Sequence, residues 1–245
     1  MFQWLISVAL ALLVCSARAQ DDCGLIGAVA APYITNGAQG AWAFLEGSGT
    51  TTADLTGNGN TMTIANSPAW TTGMNGHGGG IVLTGTQYGS VPSPFGNFTN
   101  GPWTYSVWVN HSSIVNGACY SSEGAYSATG YYTQYQSSQL QFTAITTSSY
   151  TSMPSIPTGV WENIVISWNG IFCSMWTNGV SLSLTQNVSA VTSTGLNFYF
   201  MTYNATAANC IKGTAEQGIL YNRALSAAEV TNMYEALPVW NKTLW

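Results

Sequence analysis

Two Asn-Gly dipeptides, Asn169-Gly170 and Asn178-Gly179, constrain this chain more than any other feature. Asn and Gly tolerate the positive φ that both central residues of a type I′ turn require, and such a turn joins two antiparallel strands through two residues. The first dipeptide follows Asn163-Ile-Val-Ile-Ser-Trp168 and precedes Ile171 to Thr177, and the second leads into Val180 to Leu184. Three strands in two hairpins are predicted here. Trp103 to Val109, Leu196 to Met201 and Gly218 to Tyr221 repeat the same short, β-branched and aromatic composition. Strands at such spacing specify an all-β sandwich or barrel. Helix signals are nearly absent before Ser226-Ala-Ala-Glu229, a capping box in which Ser226 caps and Glu229 reaches back. Val230, Met233, Tyr234 and Leu237 then share one helical face and Pro238 stops the helix, which is expected to cover one end of the sandwich.

Charge narrows what such a chain can do. Lys and Arg number 4 and Asp and Glu 9. Lys212, Arg223 and Lys242 cannot assemble a basic patch. That excludes recognition of a nucleic-acid backbone and electrostatic docking on anionic lipid. With 46% of residues hydrophobic and many aromatics, the chain packs a core rather than staying disordered. Its surface must draw polarity from hydroxyls, amides and backbone, or from attached glycans.

Leu5 to Cys15 is an apolar run that ends in Ser16-Ala17-Arg18-Ala19, the pattern of a signal peptide cleaved before Gln20. The run is shorter than the roughly 20 residues a membrane span needs, although its first residues lack the usual Lys or Arg. The expected organisation is a signal peptide at 1–19, a lead-in at 20–40, a folded domain at 41–237 and a short tail at 238–245 in a secreted, extracellular protein. Cys15 leaves with the signal. Cys23, Cys119, Cys173 and Cys210 remain, and an even count in this compartment reads as two disulfides with three pairings open. Asn97, Asn110, Asn187, Asn204 and Asn241 head glycosylation sequons.

Three stretches together resemble a known family. The first is Ala41-Trp-Ala-Phe-Leu-Glu-Gly-Ser-Gly-Thr50, followed by Ala53-Asp-Leu-Thr-Gly-Asn-Gly-Asn60. The second is Gly78-Gly-Gly-Ile-Val-Leu-Thr-Gly85, then Tyr88-Gly-Ser-Val-Pro92 and Trp103 to Val109. The third is Gly218-Ile-Leu-Tyr-Asn-Arg-Ala-Leu-Ser-Ala-Ala-Glu229. In order and spacing they resemble laminin-G-like domains of the concanavalin A-like jelly-roll superfamily, over Ala41 to Leu237. The resemblance implies an all-β fold of two antiparallel sheets in a jelly-roll sandwich with one short C-terminal helix. It implies an extracellular domain that binds glycan or protein, often for adhesion, and many members hold a structural calcium ion.

Candidate sites follow. Sugar binding needs aromatic faces with a few fixed polar groups. Residues 119–135 concentrate tyrosines among Ser, Gly, Thr and Gln. Tyr126, Tyr131 and Tyr132 are the candidates to stack on sugar rings, with Glu123 and Gln134 bonding to hydroxyls. The plainer reading makes them ordinary sandwich tyrosines. By the resemblance, calcium would draw on Asp54, then Glu216, then Glu46. Asp54 also reads as a turn cap, and Gln217 stands where members commonly carry another acid. Arg223 is placed to hold Glu46 or Glu229. No carboxylate pair at catalytic spacing and no Gly-x-Ser-x-Gly elbow occurs. Glu162 stands alone, and His77 and His111 lack acidic neighbours in sequence. A binding protein for an extracellular glycan or glycoprotein is therefore expected rather than an enzyme. Its rival is a self-assembling coat or matrix subunit, since neutral surfaces do not repel their own copies.

Overall fold

The computed structural model describes residues 36–76, 78–92, 101–123, 131–137, 139–144, 147–150, 156–183, 197–203 and 209–236. The expected signal peptide, Cys23, Tyr126, His77, Leu237, Pro238, the tail, and the sequons at Asn97, Asn187, Asn204 and Asn241 lie outside these residues. The described chain forms two eight-stranded antiparallel sheets and one α-helix, a jelly-roll sandwich.

Sheet A contains β1 (Ala38–Trp42), β4 (Ala69–Thr71), β5 (Gly80–Thr84), β7 (Trp103–Ser113), β12 (Trp161–Trp168), β13 (Cys173–Thr177), β14 (Val180–Leu182) and β16 (Lys212–Tyr221). Its order is β14-β13-β12-β7-β16-β5-β4. The first half of β16 pairs with β5 and its second half with β1. The change of partner falls at a bulge where Gln217 has a φ of 46°. Strand β1 runs across residue 41, where the sandwich was expected to begin.

Sheet B contains β2 (Thr51–Thr52), β3 (Met62–Ala65), β6 (Tyr88–Val91), β8 (Ala118–Glu123), β9 (Tyr131–Gln136), β10 (Gln139–Ala144), β11 (Thr147–Tyr150) and β15 (Phe198–Phe200). Its order is β11-β10-β9-β8-β15-β6-β3-β2.

Strand alternation builds the interior. Trp103, Tyr105, Val107 and Val109 of β7, with Ile164, Ile166 and Trp168 of β12, face inward from sheet A. Tyr131, Tyr135, Leu140, Phe142, Phe198 and Phe200 meet them from sheet B. Ring pairs span the gap: Trp42 stacks on Phe198 at 6.1 Å, Phe44 tilts on Phe200 at 5.4 Å, and Trp103 stacks on Tyr131 at 4.4 Å.

The two Asn-Gly dipeptides part company. Asn178 and Gly179 both have positive φ, 50° and 75°, and join Thr177 to Val180 in the expected tight turn. At Asn169 the side-chain carbonyl accepts the amides of Ile171 and Phe172 at 2.9 and 2.7 Å. That side-chain turn extends the connection to four residues between the paired Trp168 and Cys173, so Ile171 and Phe172 are exposed loop rather than strand.

The helix, α1 (Ala227–Ala236), has the expected cap: Ser226 Oγ accepts the Glu229 amide at 3.3 Å, and Glu229 accepts the Ser226 amide at 2.8 Å. It lies on the outer face of sheet A rather than at an end of the sandwich. Val230, Met233 and Leu225 pack there with Val165, Trp176, Ile219 and Tyr221, the residues that alternate with the inward set. Trp108 stacks on Tyr234 at 5.6 Å. This is why Trp103 to Val109 is buried on both faces.

The Gly78-Gly79-Gly80 run serves a close approach. A Cβ on Gly79 would stand 2.0 Å from the Phe44 carbonyl oxygen, a backbone atom that cannot swing aside. Gly79→Ala is expected to cost about 3 kcal/mol, at the upper end of overpacking penalties, measured by urea unfolding. The neighbouring open-space variant Gly76→Ala, although at positive φ, is expected to cost about 1 kcal/mol.

Candidate functional site

With α1 over sheet A, the other outer face belongs to sheet B. Its register aligns one residue from each strand: Thr51, Thr63, Ser90, Tyr199, Ser122, Tyr132, Thr143 and Ser148 are successive neighbours across all eight strands. Each of the eight carries a hydroxyl. Thr51, Thr63, Ser90, Tyr199, Ser122, Tyr132 and Thr143 alternate along their strands with the inward set, so they belong to the outer face. At a strand spacing of about 4.8 Å the row runs about 34 Å.

Tyrosines and amides flank this row. Tyr88 meets Tyr199 edge-on at 6.4 Å, and Tyr132 meets Tyr203 edge-on at 5.0 Å. Gln134 donates through Nε2 to Gln136 Oε1 at 2.6 Å and to Gln141 Oε1 at 3.0 Å. Gln134, Gln141, Thr143 and Ser122 are buried although they point away from the interior, and the Ser122 hydroxyl donates to the Thr202 carbonyl at 3.0 Å, so the row is open to solvent at Thr51, Thr63, Ser90, Tyr199 and Tyr132. Glu123 is the sole charged residue in the eight strands of sheet B, and its side chain lies outside the described residues.

The expected ligand residues are thus divided. Tyr132 and Gln134 lie on this face. Tyr131 does not: the pleat turns it inward, 3% exposed, against Trp103 and Phe142. Tyr88, Tyr199, Tyr203 and Gln141 were missed. The signals were present in the alternation: Tyr88 and Ser90 bracket the small Gly89, and Tyr199 is the polar residue between Phe198 and Phe200. Their convergence depends on pairing that no local pattern encodes.

The three expected calcium ligands are each committed to backbone amides. Asp54 accepts the amides of Ala41, Thr56 and Asn60 at 3.0–3.1 Å and the Thr56 hydroxyl at 2.7 Å, closing the turn over Gly57 to Asn60. Glu46 accepts the Ala53 amide at 2.7 Å, and Glu216 the Met74 amide at 2.7 Å. Among the described residues no three His, Cys, Asp or Glu side chains gather where a metal could be held. Asp54, whose two oxygens take three amides and a hydroxyl, serves as the turn cap, whereas Glu46 and Glu216 each accept a single amide. Arg223 chooses Glu229, at 2.7 Å, over Glu46, and its Nε donates to the Asn36 carbonyl at 2.8 Å.

Acid–base groups do meet in space, though on the inner side. Tyr120 Oη and His111 Nε2 are joined by a hydrogen bond of 3.2 Å, and Glu162 is close enough to raise the Tyr120 phenol further. His111 and Tyr120 are sealed inside the sandwich. Glu162 Oε2 is buried with no hydrogen-bond partner, and burial pushes its carboxyl up to about 7. Burial holds His111 down at about 4. No disulfide joins Cys119, Cys173 and Cys210, whose thiols are all buried.

Comparison with known proteins follows the fold. The sequence profile of a laminin G-like family, described as the concanavalin A-like lectin/glucanases superfamily, matches residues 83–231. No curated protein matches the sequence. Domain 4 of AbnA, an extracellular GH43 arabinanase from Geobacillus stearothermophilus solved with arabinotriose, superposes with a TM-score of 0.66 at 18% identity. The match covers 80% of this chain and 98% of that one. The binding domain of Paraclostridial Mosquitocidal Protein 1 gives 0.63 at 14% identity, covering 82% and 52%. Trypanosoma rangeli sialidase in complex with sialic acid gives 0.61 at 15% identity, covering 83% and 33%. The chain thus spans about half of the toxin domain and a third of the sialidase.

The buried carboxyls set a pH dependence. Burial also raises Glu216 to about 7, against the bond from the Met74 amide. Glu162 and Glu216 bind protons more tightly folded than unfolded, so their contribution is complete below their ordinary value of 4.5 and is lost as pH rises through about 7. His111 acts oppositely: its contribution is complete above 6.5 and is lost as pH falls toward 4. Two carboxyls oppose one imidazole up to 6.5, and above that only the carboxyls act. The melting temperature is expected to fall between pH 5 and 8, most steeply above 6.5, and Glu162→Gln to flatten the fall. Thermal melts across this range check it.

Proposed function

The chain belongs to the concanavalin A-like lectin/glucanase superfamily, and from that premise we propose that it is a secreted, non-catalytic module that binds a neutral extracellular carbohydrate along the outer face of sheet B. One observation carries the reading: an eight-strand row of hydroxyl-bearing residues, flanked by half-exposed tyrosines and a glutamine floor, with a single charged residue in the whole sheet. Tyrosine rings offer apolar surface to sugar C–H groups, while hydroxyls and amides exchange hydrogen bonds with sugar hydroxyls. A charged sugar would lose hydration here without a counter-charge, which favours a neutral one.

Two further points support the reading. The acid–base groups that meet, His111, Tyr120 and Glu162, face the interior, where a saccharide has no access, and this favours binding over turnover. The arabinanase domain of like fold is held with arabinotriose. Secretion rests on the signal pattern at 1–19, and a sugar borne on an extracellular glycoprotein suits the same face.

Tyr132→Ala and Tyr199→Ala should each weaken binding to the best ligand on an array of neutral and acidic glycans. The expected loss is about tenfold, the equivalent of roughly 1.4 kcal/mol per aromatic contact. Full retention by both folded variants, or preference for sialylated or sulfated glycans, overturns the proposal. Concentration-dependent assembly without sugar in sedimentation velocity would favour self-packing of this neutral face instead.

A further inference from the structure

We infer that Cys119 and Cys210, free thiols in this structure, close into a disulfide when the chain is oxidised, fastening the segment after β15 to the outer face of sheet B. The segment leaves Phe200, bears Thr202 and Tyr203, and returns at Asn209-Cys210 before β16. Both of its ends are zipped onto β8. At one end the Met201 amide donates to the Tyr120 carbonyl at 2.9 Å and Ser122 Oγ to the Thr202 carbonyl at 3.0 Å. At the other end the Cys119 amide donates to the Asn209 carbonyl at 2.9 Å, which sets Cys119 beside the residue preceding Cys210.

The alternatives fail on geometry. Cys173 faces the interior from sheet A, in register with Trp168. Packed sheets stand about 10 Å apart, and a bridge needs Cα atoms within roughly 7 Å. Cys173 stands across β12 from Trp103, the first residue of β7, whereas Cys210 leads into Lys212 opposite Ser113, the last residue of β7, about 33 Å away at 3.3 Å per residue, and Cys119 lies beside Cys210 at that far end. The two cysteines are brought side by side by the bond from the Cys119 amide to the Asn209 carbonyl, and both thiols are buried. Cys119 Sγ donates to the Gly117 carbonyl at a long 3.7 Å, and Cys210 Sγ to Thr202 Oγ1 at 3.4 Å.

The chemistry is thiol–disulfide exchange with a disulfide donor of the secretory compartment. One cysteine thiolate attacks the donor and expels one donor thiol, giving a mixed disulfide. The second cysteine thiolate displaces the other donor thiol as the Sγ–Sγ bond forms. Two protons and two electrons pass from the cysteines to the donor. Buried thiols with raised pKa are unreactive, so the bridge must close during folding, not afterwards. It would close a loop of 90 residues between the two cysteines that holds β9 to β15, and would fix Tyr203 against Tyr132. Its role in sugar binding rests on the carbohydrate reading, whereas the bridge itself does not.

The test uses the full chain refolded in reduced and oxidised glutathione, then alkylated in denaturant and mapped without reductant. A peptide pair linking Cys119 to Cys210 is expected. Alkylation of both, or linkage of either to Cys23 or Cys173, overturns the inference. The Cys119→Ser, Cys210→Ser double variant should melt about 10 °C lower than the oxidised chain and match the wild type melted in reductant. Hydrogen exchange at residues 201–203 and 209–211 should quicken on reduction. Equal melting and exchange in both redox states would show that the bridge fastens nothing. Loss of the bridge with sugar binding intact would refute only its role at the site, and a confirmed bridge without sugar binding would refute only the carbohydrate reading.

Discussion

The fold-back of residues 221–236 over sheet A decides which face of the sandwich stays available. The Arg223–Glu229 ion pair is partly exposed, and such pairs contribute about 0–1 kcal/mol. The Ser226 cap contributes about 1 kcal/mol. Burial of Leu225, Val230 and Met233 against Val165, Trp176 and Ile219 outweighs both, at roughly 1.5–3 kcal/mol for each side chain. Apolar packing therefore holds the arm down, and the polar contacts set the angle at which it leaves β16. Thr104 completes the seam, for its hydroxyl accepts the Leu225 amide at 2.9 Å and bonds to Ser167 at 2.8 Å.

The consequence is a molecule with unlike outer faces. Sheet A spends its outer face on a second apolar layer, and its strands carry His111, Glu162, Lys212 and Glu216. Among the described residues no helix packs on sheet B, whose outer face carries hydroxyls, tyrosine edges and a bonded glutamine trio. An exposed sheet face normally stays soluble through charge. Here hydroxyls and amides take that part, and the same groups are those that recognise sugars.

Much of the fold was legible because its signals are local. Short β-branched runs, the Asn178-Gly179 turn and the Ser226–Glu229 box depend on neighbours in sequence, and each formed as expected. Asn169-Gly170 misled because a competing local bond, from the Asn169 side chain to two amides, lengthened the turn. The site was harder. Tyr131 and Tyr132 are adjacent in sequence and lie on opposite faces, so a tyrosine-rich stretch could not say which ring faces out. Tyr88, Tyr199 and Tyr203 join Tyr132 only through pairing of strands distant in the chain. Asp54 carried both of its readings in one motif, and the amides it collects came from Ala41 as well as from its own turn.

The central claim is that the face left by α1 is the binding face. Amide chemical-shift mapping of the isotopically labelled chain, titrated with neutral oligosaccharides such as arabinotriose, tests it most directly. The account predicts shifts concentrated on β6, β15, β8, β9 and β10, with α1 and the β13–β14 hairpin unmoved. Shifts concentrated on α1 and β13, with sheet B silent, would contradict it.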